Sequence, residues 1–93
     1  MNTISKDSTV MLEDNVVSCD LDGEAAILNM DNGVYYGLDP IGAKIWNLIQ
    51  NPIKINHIVE MVLDEYDVEP DRCHDDILEL IEQLVNNGLV KIK

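Results

Sequence analysis

The apolar pattern changes period once, at Asp39-Pro40, and this change constrains the fold more than any other feature of the chain. Upstream, apolar residues fall in short strand-like runs at residues 16–21, 24–30 and 34–38. Asp22-Gly23 and Asp31-Asn32-Gly33 separate these runs, and Asn-Gly accepts the positive φ angles of a type I′ hairpin turn. Downstream, apolar residues recur every three or four positions as far as Asn87-Gly88. Strands grouped first and helices second predict an α+β domain, a three-stranded antiparallel sheet followed by three α-helices. At 93 residues there is room for one domain, read as residues 9–93 behind a flexible tail at 1–8.

The helix ends are marked by their own chemistry. Asp39 is placed as an N-cap, with Pro40 at the first helical position, where a missing N–H costs nothing. The first helix carries Ile41, Ile45, Leu48 and Ile49 as one stripe, with Trp46 on its flank, and stops at Asn51-Pro52. The second runs from about residue 55 to 66, its stripe being Ile55, Ile58, Val59, Val62, Leu63 and Tyr66. Pro70 opens the third, which shows Cys73, Ile77, Leu80, Ile81, Leu84 and Val85 on one broad face. Gly88 fits the left-handed position that ends it. Val10 and Leu12 give only a weak strand signal, and residues 90–93 read as a short terminal extension. Three short helices after a hairpin are winged helix-turn-helix-like in their order.

Charge excludes the usual employment of such a fold. Six Lys and Arg stand against 18 Asp and Glu, a net charge of −12. Nucleic-acid affinity comes mostly from cations that displace phosphate counterions. From Glu60 through Glu82 there are ten acidic residues and one basic, Arg72, so the third helix would be repelled from a major groove. No apolar run approaches the ~20 residues needed to span a bilayer, and the N-terminus has no basic region leading into an apolar one. The expected setting is the cytoplasm, away from membranes.

Catalytic constellations are equally scarce. Cys19 and Cys73 have no second cysteine at metal-ligand spacing and are expected as reduced thiols. Cys73 and His74, adjacent on a helix, point about 100° apart and do not readily share a metal. The carboxylates lie opposite the apolar stripes, as on a solvated face, and residues 64–71 lack the spacing of a calcium loop. Ser5, Ser8 and Ser18 sit in no nucleophile motif, no glycine-rich phosphate loop exists, and the helix start at Asp39 has no serine for a phosphopantetheine arm. No enzyme activity, cofactor or metal is expected.

Binding remains. Val34-Tyr35-Tyr36-Gly37-Leu38 is uncharged and has no Pro, and in a meander it lies at the sheet edge. An open edge must be covered or used. Two readings stand side by side: the N-terminal segment covers this strand, or the strand recruits an extended peptide. Left free, it could also join a second copy as a homodimer.

Residues 23–39, Gly-Glu-Ala-Ala-Ile-Leu-Asn-Met-Asp-Asn-Gly-Val-Tyr-Tyr-Gly-Leu-Asp, resemble the opening of PqqD-like proteins. Residues 41–46, Ile-Gly-Ala-Lys-Ile-Trp, resemble the helix that follows there, and residues 76–90 the closing helix. Asp39 stands where that family often has Asn; both cap a helix. The resemblance is to the RiPP recognition element, a winged-helix-like domain that binds the leader of a ribosomally made precursor peptide. Free-standing copies of this size work in lasso-peptide pathways beside a leader peptidase and an ATP-dependent cyclase. The resemblance implies a leader paired antiparallel to the third strand and resting on the third helix. Its contacts would be Val34, Tyr35, Tyr36, Gly37, Leu38, Cys73, Asp76, Ile77, Leu80 and Leu84. Leu80 and Leu84 could equally be core. A PqqD-like adaptor for another modifying enzyme, such as a radical-SAM maturase, and a winged-helix protein-interaction domain are the alternatives.

Overall fold

The computed structural model describes residues 4–93. Its elements are β1 (Thr9–Leu12), β2 (Val16–Leu21), β3 (Glu24–Asn29), β4 (Val34–Leu38), α1 (Pro40–Leu48), β5 (Ile53–Lys54), α2 (Ile55–Glu65), α3 (Pro70–Asn86) and β6 (Val90–Ile92). β2, β3 and β4 form the expected antiparallel meander in that order. The turn that joins β2 to β3 has both Asp22 and Gly23 at positive φ, 58° and 94°, as a type I′ turn requires. The β3–β4 turn differs from expectation. Only Gly33 is left-handed, at 71°, and the connection is four residues long, closed by Gly33 N donating to Asn29 O at 2.8 Å. Asn32 contributes its side chain instead, accepting from Val34 N at 2.9 Å.

A second three-stranded sheet, ordered β5-β1-β6, was not expected. Val10 pairs with both Ile53 and Ile92, so the terminal extension at residues 90–92 is a strand. Each strand has at most four residues, too short for a periodic signal, and the pairing is non-local. Among the described residues, the N-terminal segment therefore serves this sheet and leaves β4 uncovered. The first three residues of the expected tail lie outside the described residues. Farther on, Ser8 O and Lys6 O accept from Ile55 N and Asn56 N, capping a helix whose own N-cap, Lys54, offers no side-chain bond.

The predicted helix signals act as read. Asp39 Oδ1 accepts from Gly42 N at 2.8 Å. At the end of α3, Gly88 N reaches Val85 O and Leu89 N reaches Leu84 O, the paired bonds of a Schellman ending. The core lies between the inner face of the meander, the three helices and Val10 and Val90 of the small sheet. Trp46 is inside it, 2% exposed, with Nε1 donating to Ser18 Oγ on β2. Ile41, expected in the buried stripe of α1, is 42% exposed instead, because the face that α1 buries is that of Gly42, Ala43, Ile45 and Trp46.

Candidate functional site

The hydrogen-bonding direction of β4 follows from the register. Beyond the Val16↔Asn29 pair, Met30 N donates to Asn15 O, which makes that pair a non-hydrogen-bonded one and turns the N–H and C=O of Asn29 toward β4. Counting by twos along the β3–β4 register, Tyr36 and Leu38 bond back to β3, while Val34, on the same side, gives its N–H to Asn32 Oδ1. Tyr35 and Gly37 turn their N–H and C=O groups to the open edge. Two donors and two acceptors stand there, fewer than the five or six bonds a longer pairing would make.

Side chains alternate across the same strand. Leu38 and Tyr36 face inward opposite Ala25 and Ile27, whereas Tyr35, 71% exposed, lies on the outer face with Val17 and Leu21. Below the open edge runs a groove of about 440 Å³ between β4, the first turn of α1, the end of α2 and α3. Its floor is apolar: Leu38, Ile45, Val62, Cys73 and Ile77. Gly42 lets the first turn of α1 close on Leu38, since a Cβ there would lie 3.2 Å from the Leu38 side chain. At one end the groove is bridged by Tyr36 OH, which donates to Gln83 Oε1. Its rim carries Asp39, Arg72 and Asp76, with Arg72 Nε 4.0 Å from Asp76. Burial, and then the charge of Asp76, hold the Cys73 thiol above its ordinary pKa, so it stays protonated near neutrality.

Of the residues singled out from sequence, Tyr36, Gly37, Leu38, Cys73, Asp76, Ile77 and Leu80 meet in this groove. Val34 and Tyr35 are on β4 but outside it. Leu84 belongs to the core instead, fully buried beside Ile81, because it lies on the flank of α3 that faces inward. The other lining residues, among them Ile41, Tyr66, Val68 and Gln83, were not singled out for binding. Val68 could have been noticed as a lone apolar residue, 41% exposed, between Asp67 and Glu69. Among the described residues no cluster of His, Cys, Asp and Glu is arranged to hold a metal, and no helix is long and apolar enough to cross a membrane.

Comparison with known proteins bears on this arrangement. The structure of TbiB1 in complex with the TbiA(beta) leader peptide superposes with a TM-score of 0.83 at 31% identity, over 87% of this chain and 94% of that one. The structure of lasso peptide synthetase B1 complexed with the leader peptide shares the fold, with a TM-score of 0.79 at 22% identity, over 88% of this chain and 96% of that one. No curated protein sequence matches. The model of the family Coenzyme PQQ synthesis protein D matches residues 24–90, which hold the open strand, the groove and all three helices. The chain thus belongs to the PqqD family and is a PqqD-like RiPP recognition element.

Proposed function

We propose that this protein is a non-catalytic adaptor that captures the leader of a ribosomally made precursor peptide, here a lasso-peptide precursor. The leader adds as a strand to the free edge of β4 and lays alternate side chains into the groove against α3. The observation that carries this reading is the open edge itself: the main-chain groups of Tyr35 and Gly37 stand outward beside an apolar groove of side-chain width. The likeness to TbiB1, whose structure holds a leader peptide, supports it. Val34 through Leu38 supply the pairing strand, and Cys73, Asp76, Ile77 and Leu80 the opposing wall. Bound in this way, the leader brings its core segment to the leader peptidase and cyclase of the pathway at raised effective concentration. The match to the PqqD family model favours, as a second reading, an adaptor for a different modifying enzyme. The enzyme that co-purifies with the leader-loaded protein separates the two.

An NMR titration of the labelled protein tests the reading. The probe is a synthetic peptide spanning the leader of the precursor encoded beside the gene. Shifts concentrated at residues 33–38 and at the groove wall of α3 are expected. Absence of shifts at hundreds of micromolar peptide would overturn leader binding. The same edge can pair with a second copy of the chain; such a dimer should dissociate as leader is added, because both need the groups of Tyr35 and Gly37.

A further inference from the structure

Asn29, the last residue of β3, is the one buried polar side chain among the described residues, 5% exposed. Its amide makes three hydrogen bonds. Oδ1 accepts from Asn15 Nδ2 at 3.0 Å and from Asp31 N at 2.9 Å, and Nδ2 donates to Asn87 O at 3.0 Å. One side chain thereby joins the β1–β2 connection, the β3–β4 turn and Asn87, which caps the C-terminal end of α3. Gly88 makes room for it: a Cβ there would come within 3.0 Å of Asn29 Nδ2.

These bonds matter because the two walls of the groove belong to different packing units. The β3–β4 hairpin packs on α1, whereas α3 packs on α2 and β6. Between the hairpin and α3 the described hydrogen bonds are two, Asn29 to Asn87 and Tyr36 to Gln83. The second is exposed to solvent; the first is part-buried, with the Asn29 side chain itself inside. A buried amide is costly unless every partner is present, so it favours one spacing of its partners over near alternatives. We infer that Asn29 is a positioning residue for the leader groove, fixing the distance between the β4 edge and α3. This inference rests on the leader-binding reading above. A groove that holds the competent width only part of the time loses affinity by that fraction.

Asn29→Asp keeps the shape and removes the donor. Near pH 7.5 it should weaken binding of the same synthetic leader about fivefold, the scale of one lost hydrogen bond. A buried carboxyl titrates above its ordinary value. As the pH falls to about 5.5 its protonated form can donate to Asn87 O, so the ratio of variant to wild-type Kd should shrink toward one. Asp31 and Glu13, the other titratable groups lining this hollow, are negatively charged and disfavour a carboxylate at position 29 further. Ile58→Val, in the core away from either bond, controls for lost stability: it should lower the melting temperature yet leave Kd within about twofold. If the aspartate does not fold, Asn29→Ala, which removes the donor without adding charge, carries the same comparison of affinities. Unchanged affinity in the folded Asn29 variant, or an equal loss in Ile58→Val, would overturn the positioning role alone. Failure of the wild-type protein to bind the leader would overturn the function and this role together.

Discussion

Tyr35→Pro separates the edge from the ladder. In the free protein the Tyr35 N–H points away from β3, so proline there removes no existing hydrogen bond. The strain of a proline φ in an edge strand should cost at most about 1 kcal/mol of stability, a shift of a few degrees in Tm. For the leader, however, the substitution deletes one of the two outward donors. A net main-chain hydrogen bond contributes about 1 kcal/mol, which is roughly fivefold in Kd. The ring also stands in the path of the incoming strand, so about five- to twentyfold is expected in all. Tyr35→Ala keeps the N–H and measures what the side chain alone contributes. One residue along, Tyr36→Pro deletes a bond to β3 and should destabilise by about 3 kcal/mol or more. Calorimetric titration with the synthetic leader, beside thermal melts of all three variants, reads these quantities. A folded Tyr35→Pro protein that binds as well as Tyr35→Ala would refute pairing at this edge.

Three further outcomes are expected. Leu80→Asp, at a half-buried position on the groove wall, should lower leader affinity more than tenfold with a modest loss of stability, whereas Leu84→Ala should cost about 2–5 kcal/mol in denaturant melts. The raised pKa of Cys73 makes its reactive thiolate scarce below the ordinary cysteine range. Alkylation at about pH 8 should therefore modify exposed Cys19 first, and the rate at Cys73 should climb only as the pH passes that range; peptide mapping that finds both labelled together would contradict the burial argument. With a net charge of −12, the protein should capture a cationic leader faster at low ionic strength, and stopped-flow association rates should fall as salt is added.

Local chemistry was legible in the sequence, and distant pairing was not. Asp39 caps α1 and Gly88 ends α3 because each acts on groups within four residues of itself. The sheet of β5, β1 and β6 escaped notice because its strands are two to four residues long and gain stability only from partners far along the chain. The cap on α2 comes from Ser8 and Lys6, some fifty residues upstream, and no pattern around Lys54 announces it. Asn29 lies inside the strand-like run at residues 24–30, and nothing in that pattern marks it as buried. Its burial follows from Asn15 and Asn87, which reach it from two other parts of the chain.

The apolar face of α3 shows why a site of this kind is half visible. Periodicity reports that Cys73, Ile77, Leu80, Ile81 and Leu84 avoid water, but it does not say what excludes the water. In the structure Ile81 and Leu84 are sealed by the rest of the chain, whereas Leu80 is only half covered. Cys73 and Ile77 serve both sides, buried in the core and exposed to the groove at their tips. A binding helix built this way couples recognition to folding at the shared positions and frees it at the outer one. Selection for a new leader can then act at Leu80, Gln83 or Ile41 at little cost to stability. A change at Ile77 alters groove and core at once. In the proposed pairing, the open strand on the opposite wall adds affinity through main-chain groups, and of substitutions only proline removes an N–H among them. On that reading sequence preference resides in the groove, and chiefly in those of its residues that the core does not need.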